Sequence, residues 1–233
     1  MQTKLYIDGE LTDGSALAIF HNQGQACIAG SRLLLHEAIA PEFLDAFIAT
    51  ARRIRIGQPL DPATQLGPLT SAMHRDRVAA HLKAAMDASA TVLIGGAPPE
   101  DPSLASGYYL QPTVVKADPE SQICQEEVFG PVVTVSTFST EAEAIAIANG
   151  TEYGLGGGLW TADLSRAHRV AAALRSGIVW VNCYKGINPG SPFGGTGKSG
   201  YGREMGFAAM DEYTARKSVW INVDATLPDW YAR

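Results

Sequence analysis

The sequence is poor in cysteine and has no long apolar run. Its three cysteines, Cys27, Cys124 and Cys183, stand far apart. An odd, widely spaced set predicts neither a disulfide framework nor a metal site, and it is typical of free thiols in the cytoplasm. No window approaches the roughly 18 apolar residues of a membrane-spanning helix. The start of the chain is polar and mixed, so we expect no signal peptide and no membrane partner.

Basic charge is also scarce. The formal net charge is −6, and the only basic cluster is Arg52, Arg53 and Arg55. These three residues follow an amphipathic stretch, where cations favour the end of a helix. The sequence therefore predicts no nucleic-acid partner. With 233 residues, of which 46% are hydrophobic, the chain can form a core without disulfides or metal.

Strand-like and helix-like segments alternate along most of the chain. Short apolar runs typical of strands lie at residues 31–36, 91–94, 132–138, 156–161 and 178–182. Amphipathic, helix-like stretches lie at residues 41–57, 71–88, 140–149 and 164–175. This alternation predicts an α/β fold with a mainly parallel sheet flanked by helices. Because residues 178–181 are apolar throughout, we expect residues 178–182 to form a buried strand.

The two ends and one long loop complete this reading. Residues 4–12 predict a short hairpin with Asp8-Gly9 as its turn. Residues 218–223 predict a terminal strand. Residues 183–203 form a long loop rich in Gly, Pro and Ser, a length typical of functional loops.

Two patterns in that loop match phosphate-binding motifs, but the residues around them do not meet the requirements of either motif. Gly195 to Gly200 matches G-x-G-x-x-G, but the preceding strand-like segment ends near residue 182, too early for a dinucleotide turn. Gly197-Lys198-Ser199 resembles the end of a P-loop. However, the position that needs its first glycine is Pro192, which lacks an N–H.

Cys27 has the setting of a reactive thiol. It lies in a polar loop between Gly24 and Gly30, just before a strand-like segment. A lone cysteine is most often a small buried apolar residue, and we expect that of Cys124 and Cys183. The glycines and amide side chains around Cys27 favour a nucleophile instead.

Three blocks resemble the aldehyde dehydrogenase family. Residues 20–27, F-H-N-Q-G-Q-A-C, resemble its nucleophile segment F-x-N-x-G-Q-x-C. Residues 126–132 read E-E-V-F-G-P-V, and residues 180–184 read W-V-N-C-Y, followed by S-P-F-G-G and S-G-Y-G-R-E. The blocks occur in family order, and the resemblance covers residue 16 to about residue 223.

The resemblance implies roles for individual residues. Cys27 would attack the aldehyde carbonyl to form a thiohemiacetal, and its backbone N–H would donate to the oxyanion. Glu127 would bind the ribose on the nicotinamide side of NAD or NADP, and Phe129 would pack beside the nicotinamide. The residues implied at the substrate mouth are Asn22, Asn182 and Tyr184. No metal site is implied.

The resemblance also implies that about half of a full-length member is absent between the N-terminal hairpin and the nucleophile loop. That half holds the doubly wound cofactor domain, the general-base glutamate of an E-L-G-G segment, an oxyanion asparagine and a ribose-binding lysine. Glu10-Leu11 is followed by Thr-Asp, so we do not assign it as the base. The implied division is a hairpin remnant (1–15), a catalytic domain (16–217), and an oligomerisation strand with tail (218–233).

Three functions stay open on the sequence. The first is NAD- or NADP-dependent oxidation of a small-molecule aldehyde, with weak or no cofactor binding by this chain alone. The second is a non-catalytic remnant that forms a homo-oligomer or docks to a full-length relative. The third is a cofactor-free thiol esterase, which needs only a nucleophile, a base and oxyanion donors.

Overall fold

A seven-stranded sheet forms the frame of the fold. The computed structural model describes residues 3–6 and 19–223. The strands are β1 (Thr3–Tyr6), β2 (Arg32–His36), β3 (Thr91–Ile94), β4 (Thr113–Lys116), β5 (Val132–Phe138), β6 (Gly156–Trp160) and β7 (Ile178–Val181). Their order is β3-β4-β5-β2-β1-β6-β7. Every neighbouring pair is parallel except β3 and β4.

Six α-helices are found within the described residues, five between the strands and one after the last strand. They are α1 (Ala40–Arg52), α2 (Ala72–Asp87), α3 (Gln122–Gln125), α4 (Glu141–Asn149), α5 (Leu164–Ala173) and α6 (Ala209–Glu212). Three of them begin at side-chain caps, because Ser71, Thr140 and Asp163 each accept a backbone N–H from the first turn. The predicted mainly parallel α/β fold is confirmed. None of these helices within the described residues is long and apolar enough to span a membrane.

The apolar core fixes the position of the Cys27 loop. Phe20, just before the loop, is 2% exposed and packs on Phe47 of α1, with ring centroids 6.2 Å apart. Ala29, just after it, is also buried, and β2 then enters the centre of the sheet. Both ends of the loop are therefore anchored in the core while its middle reaches the surface.

The N-terminal segment differs from the predicted hairpin. β1 pairs in parallel with β2 on one edge and with β6 on the other. Both of its edges are occupied, so the second arm of a hairpin has no place to pair. The Asp8-Gly9 turn lies outside the described residues.

The predicted burial of the strand at residues 178–182 and the predicted terminal strand at residues 218–223 are both wrong for the single chain. β7 lies at the edge of the sheet, and of Ile178–Val181 only Trp180 is buried. Residues 218–223 are exposed and form no strand, because no other described strand lies alongside them. A role for residues 218–233 in assembly stays a prediction.

Candidate functional site

The Cys27 loop, residues 21–28, has a strained backbone. It begins with the turn His21–Gly24, in which Asn22, Gln23 and Gly24 have φ values of 54°, 58° and 71°. Non-glycine residues rarely adopt this left-handed region. The Asn22 side chain stabilises the turn by donating to the carbonyl of Gln25 over 2.8 Å. The Cys27 side chain that follows is exposed to solvent.

Contacts with two distant segments hold one side of this loop. An ideal Cβ placed on Gly24 would lie 1.9 Å from the carbonyl oxygen of Gly130. Only glycine fits there, so the loop meets the segment that contains Glu127 and Phe129. In addition, the side-chain oxygen of Gln25 accepts the backbone N–H of Thr70 at 3.0 Å.

Tyr184 and Lys185 hold the other side of the loop. The Tyr184 hydroxyl donates to the carbonyl of Ile28, next to Cys27. Its ring packs edge-on against Trp180 with centroids 5.1 Å apart, and Trp180 Nε1 donates to the Gly186 carbonyl over 2.8 Å. The resulting turn places Lys185 Nζ 3.3 Å from Nδ1 of His21.

Tyr184 and Lys185 both interact electrostatically with the Cys27 sulfur. Burial raises the pKa of the Tyr184 phenol far above its usual value, and a negative charge on Cys27 raises it further. Tyr184 therefore stays protonated and cannot serve as a base at neutral pH. Burial lowers the pKa of Lys185 from its usual 10.5, while a thiolate at Cys27 acts to raise it.

Glu127 and Phe129 lie on the segment that Gly24 contacts. Phe129 is 38% exposed, and its φ of 58° is left-handed. His74 holds it, with Nε2 2.8 Å from the Phe129 carbonyl oxygen and the two rings edge-to-face. Glu127 is half-buried, and within residues 3–6 and 19–223 its carboxylate has no ion pair or hydrogen bond. An aromatic face and a free carboxylate thus lie close together in the chain.

The side chain of Asn182, implied by the resemblance to lie at the substrate mouth, also links two strand ends. It is exposed and left-handed, with a φ of 53°. Its side-chain amide accepts from the N–H of Thr161 and donates to the carbonyl of Thr161, both at 2.8 Å. The pair joins the end of β7 to the end of β6 and sets where the Tyr184–Lys185 turn begins.

The other two cysteines differ in exposure, and the acidic side chain of Glu126 is engaged by neighbouring side chains. Cys124 is buried, as expected, but Cys183 is exposed, so its expected burial is wrong. It follows an edge strand and enters an open loop. Glu126 accepts from the side chain of Gln122 at 3.0 Å and lies 3.8 Å from His81. The described residues contain no group of three or more His, Cys, Asp or Glu side chains that could hold a metal ion.

Lys185 is the site residue that the sequence reasoning missed. It stands in a loop without hydrophobic periodicity, in the gap between the W-V-N-C-Y block that ends at Tyr184 and the S-P-F-G-G block that begins at Ser191. Only the folded chain brings it to His21 and Cys27. A clue was available in the lone cation placed directly after an aromatic residue of a family block, but nothing in the sequence gave its partner.

Comparison with known proteins shows the family of the chain. Residues 9–219 match the family model described as the Aldehyde dehydrogenase family. Betaine aldehyde dehydrogenase of Bacillus subtilis is 42% identical over 94% of this chain and 45% of its own length. Acetaldehyde dehydrogenase of Pseudomonas aeruginosa is 42% identical over 96% of this chain and 44% of its own.

Solved structures show the same fold. PnpE from Pseudomonas sp. WBC-3 is 56% identical with a TM-score of 0.91, covering 100% of this chain and 48% of its own; PnpE has also been solved with nicotinamide adenine dinucleotide. Betaine aldehyde dehydrogenase from Staphylococcus aureus in complex with NAD⁺ is 36% identical with a TM-score of 0.93, covering 100% and 47%. The chain spans about half the length of these relatives. It belongs to the aldehyde dehydrogenase family.

Proposed function

We propose that this chain is the thiol-bearing half of an NAD- or NADP-dependent aldehyde dehydrogenase, with Cys27 as its nucleophile. The observation that carries the proposal is the placement of Cys27. An exposed thiol lies in a strained loop held between the Gly130 segment and the Tyr184–Lys185 turn. Strain that neighbouring structure enforces is typical of functional sites.

The chemistry of the first step follows from the groups at Cys27. The thiolate adds to the aldehyde carbon, so that a C–S bond forms and the carbonyl oxygen becomes an oxyanion. Within the described residues the backbone N–H of Cys27 donates to no protein acceptor, which leaves it available to that oxyanion. Tyr184 holds the loop through Ile28 and keeps its own proton.

The residues present fit one end of a nicotinamide cofactor. The unpaired carboxylate of Glu127 suits the ribose hydroxyls, and the exposed ring of Phe129 suits the flat nicotinamide. When bound, the cofactor would accept the hydride that leaves the thiohemiacetal carbon. The pyrophosphate and adenosine normally need a helix N-terminus and the crevice of a doubly wound sheet. We therefore propose that this chain alone binds NAD or NADP weakly or not at all.

Assembly and location are part of the proposal. Large apolar side chains near the C-terminal end are almost fully exposed, namely Tyr201, Phe207 and Trp220. Exposed apolar patches are typical of surfaces that a partner covers. We propose a homo-oligomer, or docking to a full-length relative, through residues 218–233. The free thiols fit a cytoplasmic location.

Thiol labelling tests the proposal on the chain as it stands. After limited treatment with iodoacetamide, mass spectrometry should find Cys27 modified before Cys183, with Cys124 last because it is buried. A small aldehyde added first should slow labelling of Cys27 and leave Cys183 unaffected. An assay of NADH formation should stay flat without a cofactor domain.

The contrary results are equally clear. Labelling of Cys183 ahead of Cys27, or the absence of aldehyde protection, would remove Cys27 as the nucleophile. Robust NADH formation abolished by Cys27→Ala would show a complete active site in this chain. Cys183→Ala is the matched control and should leave the labelling rate of Cys27 unchanged.

A further inference from the structure

We propose that Lys185 gives the Cys27 site a preference for aldehydes that carry a negative charge, such as a carboxylate. The inference rests on the proposed role of Cys27 and adds the substrate class to it. Lys185 would act as a specificity residue: its ammonium attracts the anionic group of the substrate while the sulfur attacks the carbonyl carbon.

Hydrogen bonds on both sides of Lys185 hold its backbone in place. On one side the Tyr184 hydroxyl donates to the Ile28 carbonyl, and on the other Trp180 Nε1 donates to the Gly186 carbonyl. The Lys185 backbone itself is left-handed, with a φ of 59°. A turn fixed on both sides keeps the side chain pointed at the Cys27 loop, where Nζ lies 3.3 Å from His21 Nδ1. The side chain is half-buried, so its range of positions is small.

The charge of Lys185 has no carboxylate to neutralise it within the part of the chain that the structure describes. Its electrostatic neighbour there is Cys27. By contrast, Lys83 is paired with Asp87 at 2.6 Å, and Lys198 is paired with Glu152.

Two other titratable groups face this point. Tyr184 keeps its proton and so carries no charge, and Nδ1 of His21 lies 3.3 Å from the ammonium. A partly desolvated cation beside a nucleophile therefore attracts an anion more strongly than a surface lysine does.

Two alkylating reagents measure this preference without a cofactor. Iodoacetate and iodoacetamide react with a thiolate in the same way: a C–S bond forms, the C–I bond breaks and iodide leaves. They differ only in a carboxylate against an amide. The measurement is the ratio of the iodoacetate rate to the iodoacetamide rate at Cys27, divided by the same ratio for a small neutral thiol.

We expect Lys185→Gln to lower this normalised ratio about threefold to tenfold, the size of one partly screened charge pair. Lys185→Arg should stay within about twofold of the unchanged protein. Lys198→Gln removes an exposed, ion-paired lysine and is the matched control, so its ratio should not change. Added salt at about 0.5 M should reduce the ratio of the unchanged protein, because salt screens the attraction.

Aldehydes give a second measurement on the same thiol. Succinic semialdehyde and butanal have four carbons each and differ by a carboxylate. Succinic semialdehyde should protect Cys27 from iodoacetamide at a lower concentration than butanal does, and Lys185→Gln should remove that difference. Protection requires no turnover, so it does not depend on a cofactor domain.

Several results would overturn the inference. An unchanged ratio in Lys185→Gln, with its circular dichroism and melting temperature preserved, would exclude selection by this charge. An equal fall of both alkylation rates would show that Lys185 acts on the thiolate alone, which also contradicts selectivity. A Cys27 that reacts with neither reagent ahead of Cys183 would instead refute the proposed nucleophile.

Discussion

The contact between Gly24 and Gly130 should be the most sensitive point of the Cys27 loop. In Gly24→Ala the new Cβ would lie 1.9 Å from the Gly130 oxygen and 2.9 Å from the Pro131 nitrogen. Both are backbone atoms, so two loops must separate. The φ of 71° adds a penalty of about 1–2 kcal/mol, and crowding typically costs about 1–3 kcal/mol more. We expect the free energy of unfolding to fall by about 2–5 kcal/mol.

Gly200→Ala is the matched control for this substitution. Gly200 also has a left-handed backbone, with a φ of 94°, but nothing lies within 4 Å of its ideal Cβ. It should lose only the backbone penalty of about 1–2 kcal/mol. Denaturant unfolding of both variants gives the difference, which isolates the clash. Labelling of Cys27 should change in Gly24→Ala and stay unchanged in Gly200→Ala. Equal losses of stability would mean that the two loops do not meet in solution.

Three further predictions test the frame around the site. Arg32 is 2% exposed and donates to the last carbonyls of α4 over 2.7 and 3.4 Å, so Arg32→Met should lower unfolding free energy by about 2–4 kcal/mol, with Arg32→Lys recovering part of it. Asn182→Ala loses two hydrogen bonds of 2.8 Å, so the free energy of unfolding measured with denaturant should fall by about 2–3 kcal/mol. The preference of Cys27 for iodoacetate over iodoacetamide should also become smaller. Hydrogen bonds from Arg169, and then from Arg166, lower the pKa of Glu141 in the folded chain. Its contribution to the free energy of unfolding is therefore present above the usual carboxyl pKa of 4.5 and is lost as pH falls below that value. Glu141→Gln should flatten the acid side of a curve of unfolding free energy against pH.

Local patterns explain which elements could be predicted. The apolar run of β5 and the amphipathic stretch of α2 are each defined by neighbouring residues, and both elements form close to where they were expected. Strand neighbours are decided by contacts that are far apart in the chain. The N-terminal segment satisfies the local rules of a hairpin, yet β1 enters a central slot between β2 and β6. The same limit explains β7, whose apolar run did not show that it lies at an edge.

The candidate site divides in the same way. Cys27 could be found because its family pattern lies within eight residues of chain. The bond from Tyr184 to Ile28 joins residues 156 positions apart, and nothing short-range encodes it. Lys185 was missed for that reason. The side chain of Asn182 was predicted at the substrate mouth, but its amide is engaged by the Thr161 backbone, a use that only the pairing of β6 with β7 creates.

The exposure of Cys27 sets what this thiol can do in the chain alone. Addition of the thiolate to an aldehyde is reversible, and only removal of the hydride commits the adduct to the acid. Hydride transfer needs an acceptor held in close register, where an error of about 1 Å costs about 100-fold. Cys27 lies open to solvent, and Glu127 and Phe129 belong to the segment that Gly24 of its loop contacts at Gly130. The adduct should therefore form and revert until a surface that carries the cofactor covers it, which is why aldehyde protection without NADH formation is the pattern that the proposed function requires.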